Sequence, residues 1–164
     1  MSKSDIKLLN QSLINTVAKE ATNSKRLRKN YNFHDLSDTV QRFMNIMQPG
    51  TYVRPHRHTR PEDKNGFEFF LLLQGKIGVL LFDDQGNITH QEQLGEESEN
   101  YGIEMAEGTF HTLVSLAPNT VMFELKEGPY VPTSDKDFLP QFPHEGSSEA
   151  QKQVKNWESL FCCH

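Results

Sequence analysis

Cysteine is almost missing from this sequence: the two that occur, Cys162 and Cys163, are adjacent and followed only by His164. Neighbouring residues cannot bridge distant parts of a fold, so a disulfide framework is excluded and a reducing compartment is expected. No run approaches the eighteen or so apolar residues that mark a membrane span. The opening segment MSKSDIKLLNQ lacks the continuous apolar core of a secretory signal, so a cytoplasmic location is expected. Excess positive charge is missing too. A net charge of −5 gives no electrostatic reason to expect nucleic acid or an anionic membrane as partner.

What is present is an ordinary globular composition, 35% hydrophobic and 24% charged over 164 residues, enough for one domain with a real core. Residues 4 to 22 read as a helix, with Ile6, Leu9, Leu13 and Val17 at helical spacing and Ser4-Asp5 as its cap. The basic run Lys25, Arg26, Arg28, Lys29 follows, either a solvated connector or the border of a site for an anionic ligand.

From about residue 40 the period changes from helical to two. Short segments at 40–47, 51–58, 68–74, 76–82, 88–94, 101–105, 110–116 and 121–127 are separated by turn signals, among them Pro49-Gly50, Asp83-Asp84-Gln85-Gly86-Asn87 and Pro118-Asn119. Eight short strands without helices between them predict an antiparallel sandwich or barrel. A proline-rich tail, 128–143, is expected to wrap the barrel as irregular chain. A final helix is expected over 148–161, with Ala150, Val154, Trp157 and Phe161 on one side.

His56 and His58 alternate on a strand, so they project from one face about 7 Å apart. Two imidazoles cannot complete a metal site. Glu68, on a strand otherwise as apolar as Phe-Phe-Leu-Leu-Leu, is costly to bury unless paired or metal-bound. His111 follows the Glu107-Gly108 turn and offers a third imidazole.

In this order the residues resemble the cupin superfamily. Its first motif, G-x5-H-x-H-x3/4-E-x6-G, is matched by Gly50, His56, His58, Glu68 and Gly75, except that nine residues separate His58 from Glu68. Glu62 satisfies the shorter spacer but has Phe69 where the glycine belongs, and is expected at the surface. The second motif, G-x5-P-x-G-x2-H-x3-N, keeps Gly108 and His111; Ala106 and Ser115 replace its proline and asparagine, and Gly102 comes two residues late for its first glycine. The segments RKNYNFH (28–34), YVRPHRH (52–58) and FELKEGPY (123–130) further resemble the WbuC-type cupin metalloproteins, bacterial proteins associated with O-antigen and other surface-polysaccharide gene clusters.

The resemblance implies an all-β cupin barrel, the jelly-roll or double-stranded β-helix, over residues 36–130. An N-terminal helix and connector (1–35) would pack on it, and an irregular wrap and C-terminal helix (131–164) would close it. It implies one divalent metal on His56, His58, Glu68 and His111, a small-molecule substrate and a homodimer. Three imidazoles and a carboxylate suit Fe, Mn, Ni, Co or Zn, and leave two positions open on an octahedral ion.

Tyr52 and Arg54 are in phase with the histidine pair and are expected to face the substrate, Arg54 holding an anionic group. His34 is a candidate for the pocket mouth or a structural hydrogen-bonder. Glu124 is a candidate general base or half of a solvated pair with Lys126, while His90 and His144 are expected at the surface. Three functions remain open at this point: a metal-dependent isomerase or epimerase on a sugar or sugar nucleotide, an Fe(II) dioxygenase, and a non-catalytic module sensing carbohydrate or metal.

Overall fold

A computed structural model describes residues 6–129 and 136–162. The expected Ser4-Asp5 cap, together with Cys163 and His164, lies outside them. The first helix, α1 (Gln11–Asn23), starts later than the apolar spacing predicts, because the Asn10 side chain accepts the Leu13 N–H and caps it there. Ile6 and Leu9 precede it, exposed.

Ten strands follow: β1 (Arg28–Asn32), β2 (Val40–Met47), β3 (His56–Arg57), β4 (Glu68–Gln74), β5 (Lys76–Phe82), β6 (Ile88–Gly95), β7 (Gly102–Met105), β8 (Phe110–Ser115), β9 (Thr120–Glu127) and β10 (Asp137–Phe138). Helix α2 (Ser148–Leu160) closes the chain. One antiparallel sheet has the order β1-β2-β9-β4-β7 and the other β10-β3-β8-β5-β6. Stripped of β1 and β10, the two orders interleave as an eight-stranded jelly roll. The fold is all-β with flanking helices, a cupin barrel.

The two extra strands correct the expectation at each flank. The basic stretch is no simple connector: from Arg28 it pairs with β2, Arg28 opposite Met47. Asp137 and Phe138, expected as irregular chain, pair with Arg57 and His56. The segment 51–55 is not strand, and only His56–Arg57 pairs in the expected 51–58 run. Pro55 has no N–H to give a ladder.

Packing follows the period-two pattern. On β2, Met44 and Ile46 face out and bury Ile14, Val17 and Ala21 of α1, with Val121 beneath. Gln41, Phe43, Asn45 and Met47 face inward. The interior between the sheets is apolar at one end, where Phe70, Leu72, Ile77, Val79, Leu94 and Met122 meet. A third cluster docks α2 against the outer side of the second sheet through Ala150, Val154 and Trp157. Polar groups occupy the other end of the interior.

Gly75 turns β4 into β5 at φ +81°, and a Cβ there would come within 2.7 Å of Thr120 Oγ1, so this motif position needs glycine. No helix among the described residues is long and apolar enough to cross a membrane.

Candidate metal centre

The four candidate ligands come together. His56, His58, Glu68 and His111 are all buried, and one ligand atom from each lies within 4.8 Å of the others. His56 pairs directly with His111 across β3 and β8, their ring centroids 4.6 Å apart. His58 sits just past β3, where its carbonyl accepts the Gly108 N–H at 3.0 Å. That bond ties the first histidine pair to the turn that launches His111. Glu68 opens β4 from the opposite sheet.

The long spacer between His58 and Glu68 is an excursion held down by two carboxylates. Glu107 accepts the Arg60 N–H, and Glu127 accepts the Asn65 N–H at 2.7 Å. The nine-residue spacer therefore still brings the four candidate ligands together. Glu62 lies on this excursion, exposed and away from the cluster.

Proton accounting favours a cation at the centre. His56 Nδ1 is 2.9 Å from the Arg54 carbonyl, and His111 Nδ1 is 2.9 Å from that of Thr109. A carbonyl only accepts, so both Nδ1 atoms carry hydrogen, and in the neutral ring the lone pair belongs to Nε2. His111 Nε2 lies 2.9 Å from Glu68 Oε2, and His58 Nε2 lies 3.1 Å from Glu68 Oε1. The His111 lone pair, facing a carboxylate oxygen at that distance, needs a proton or a metal ion to share. Burial, with Lys136 and His111 nearby, holds His56 well below the ordinary imidazole value, so it is neutral. Burial alone would raise Glu68, but His111 and His58 outweigh it and hold the carboxyl well below its usual range. Three imidazoles around a carboxylate could hold a divalent transition metal.

The cluster opens into a cavity of about 900 Å³. Arg54 lines it, its Nη2 donating to the Leu139 carbonyl at 3.2 Å, its guanidinium 5.2 Å from the centre of the Phe138 ring. His34 also lines it, buried, with Nδ1 accepting the Arg42 N–H at 2.8 Å. Glu124 projects inward from β9 beside Lys126, and both are buried, so the pair is not solvated. Asn45 Nδ2 donates to Glu124 Oε2 at 2.8 Å, while burial and the neighbouring Glu68 raise the Glu124 carboxyl well above its ordinary value.

Tyr52 is not in the cavity, which corrects the expectation drawn from strand phase. The irregular 51–55 segment turns it outward onto α2, where its ring stacks on Trp157 with centroids 5.7 Å apart and its hydroxyl donates to the Pro143 carbonyl at 2.7 Å. Val53 takes the inward place. Burial pushes the Tyr52 phenol up to about 12, as suits a neutral core donor. His90 is exposed, as expected. His144 is exposed as well, yet its Nδ1 lies 3.2 Å from Arg54 Nη1 at the cavity mouth.

Sequence reasoning gave Lys126 no role at the centre. It is the register partner of Glu68 across β4 and β9, with Nζ 3.9 Å from Glu68 Oε1 and 3.8 Å from Glu124 Oε1. Its alternation with Glu124 was the available signal. Arg26, Arg28 and Lys29 line the cavity as well, so the basic run borders the site.

Comparison with known proteins agrees on the fold. The capsular polysaccharide assembling protein CapF from Staphylococcus aureus superposes with a TM-score of 0.57 at 21% identity, covering 71% of this chain and 32% of that one. A structure of CapF with the inhibitor 3-isopropenyl-tropolone gives a TM-score of 0.54 at 21% identity, covering 67% and 31%. The chain thus spans about a third of the length of the CapF chains it matches. No curated protein sequence matches it. Residues 9–94 match a family model described as "Domain of unknown function (DUF6016)", and the chain belongs to that family.

Proposed function

We propose that this chain is a metal-dependent cupin enzyme that isomerises or epimerises a small anionic sugar derivative, such as a sugar nucleotide, in surface-polysaccharide metabolism. The observation that carries the reading is the position of Glu124. A buried carboxyl with a raised proton affinity stands beside the His56, His58, Glu68, His111 cluster, inside a cavity of substrate size. A purely structural metal has no use for a second buried carboxyl and a buried lysine next to it.

A bound divalent ion would supply Lewis-acid polarisation of a substrate carbonyl or hydroxyl. Glu124, its proton affinity raised by burial and by Glu68 and its side chain oriented by Asn45, would give a proton to the substrate and take one back. Lys126 balances the charge that Glu124 acquires when it gives up that proton. Arg54 would hold the anionic end of the substrate. The resemblance to WbuC-type cupins and the likeness to a capsular polysaccharide assembling protein support the polysaccharide context. A homodimer through the outer face of the first sheet belongs to the same proposal, since Leu71 and Leu73 of β4 are exposed there.

The test begins with elemental analysis of protein purified without a histidine tag, expected to give about one transition-metal ion per chain. Nucleotide sugars are then screened by thermal shift, and those that bind are followed by NMR for proton exchange at carbon. Protein that takes up none of Fe, Mn, Ni, Co or Zn would end the metal reading. Ligands that bind tightly but stay chemically unchanged with every metal would end the enzymatic one.

A further inference from the structure

The cavity mouth carries a second polar device, about which the metal cluster gives no hint. Glu145, between the short strand β10 and helix α2, reaches back to the basic stretch at β1. Arg26 grips it as a fork, Nε to Oε1 at 2.8 Å and Nη2 to Oε2 at 3.0 Å. Arg28 Nη1 reaches the same Oε1 at 2.7 Å. Three N–H donors from two guanidinium groups thus converge on one oxyanion, and all three residues line the cavity that holds the cluster.

We propose that Arg26 and Arg28 form a phosphoryl-binding clamp for the substrate, and that Glu145 is the clamp's resting occupant, displaced when the substrate enters. This rests on the reading of the cavity as a site for a sugar derivative, and it names the anionic part of that substrate.

The clamp is held ready. Arg28 Nη1 also donates to the Tyr52 carbonyl at 2.8 Å, and Tyr52 is itself locked between Trp157 and the Pro143 carbonyl. A guanidinium fixed in this way loses little freedom when it takes a ligand. Charge points to phosphate. One carboxylate supplies a single negative charge to two guanidinium groups, whereas a phosphoryl group brings nearly two at neutral pH. The surrounding lining is also basic: among the described residues, Lys29, Arg54, Lys126 and Lys136 share it with Glu68 and Glu124 once Glu145 is set against the clamp, and Lys29 also reaches Glu20 at 3.3 Å.

The occupant is free to leave. Its side chain is 35% exposed, and Gly146 follows at φ +87° with open space beside its Cα. His144, the residue before it, meets Arg54, so one short segment covers arginines on both sides of the mouth. A phosphorylated ligand would exchange with both contacts together.

The test is calorimetric titration of the purified protein with inorganic phosphate, with the metal content of each sample measured in parallel. Wild type is expected to bind phosphate, Glu145→Gln about tenfold more tightly, and Arg28→Gln at least about tenfold more weakly. Arg28 also holds backbone, so Arg26→Gln is the second variant. Its side chain is 59% exposed and a similar loss is expected without a folding defect. Equal phosphate affinity in wild type, Arg26→Gln and Arg28→Gln would overturn the clamp, and so would Glu145→Gln binding no more tightly than wild type. Acetate matching phosphate in wild type would overturn the phosphoryl assignment. Loss of the metal reading shows separately, as protein that titrates with phosphate but contains no metal.

Discussion

His56 and His111 face each other across β3 and β8 and make the same bond, each Nδ1 donating to the carbonyl two residues before it, at 2.9 Å. The paired strands thereby fix both tautomers with backbone alone. Each ring presents its Nε2 to the interior with no further side chain needed to orient it.

Replacing either ring therefore removes a ligand without disturbing a supporting network. His111→Ala and His56→Ala are each expected to lower metal affinity by at least about a hundredfold, since one of four ligands goes. Elemental analysis after dialysis reads this directly. Retention of full metal content in both variants would show that the ion sits elsewhere.

Metal removal should cost stability as well as activity. Three imidazoles and a buried carboxylate are brought together only in the folded chain, so an ion held at about a thousand times its Kd stabilises it by about 4 kcal/mol. For a chain of this size that is a fall in Tm of about 10 °C on chelation. Glu68→Gln should show no such fall, because its metal is already lost. A chelator that leaves wild-type Tm unchanged would contradict the centre.

The share of this that could be read in advance follows the physics of each element. The alternation in 68–74 and 121–127 was legible because one face is apolar core and the other is site or surface, and α2 because Ala150, Val154 and Trp157 keep one helical face. Strand β1 was not: its residues, Arg-Lys-Asn-Tyr-Asn, lie between cavity and solvent and carry no apolar period. Tyr52 was misread because the phase of His56 and His58 was carried back through Pro55, where no ladder exists. Lys126 was overlooked because its partner, Glu68, is set by the pairing of β4 with β9, which spacing along the chain does not encode.

The outward turn of Tyr52 has its own consequence. Tyr52→Phe removes one hydrogen bond, to the Pro143 carbonyl, and leaves the stacking on Trp157 in place. Stability should fall by about 1 kcal/mol, with metal content unchanged. A residue in the substrate pocket would give the opposite pattern, normal denaturation with impaired ligand binding.

Glu124→Gln separates chemistry from metal binding. The amide keeps the size of the carboxyl and can still meet Asn45, but it cannot exchange a proton with substrate. Turnover is expected to fall by about 10² to 10⁴, while metal content stays at the wild-type level. Asn45→Ala should give a milder loss in the same direction, because it only releases the Glu124 side chain from its orientation.

The clasp between Glu145 and the two arginines also sets a pH dependence. Burial by itself would raise this carboxyl, but the bonds from Arg26 and Arg28 outweigh it and hold the group below its ordinary value. A carboxyl depressed in the folded state stabilises that state fully above the unfolded value of about 4.3, and the contribution disappears as pH falls through the lower folded value. The Tm difference between wild type and Glu145→Gln should therefore be constant from neutral pH down to about 5 and close only in stronger acid, below about pH 4. Because the pair is partly exposed, the plateau should be worth less than about 1 kcal/mol and shrink in 1 M salt. A difference that instead closed as pH rose from 5 to 8 would assign it to a group other than this carboxylate.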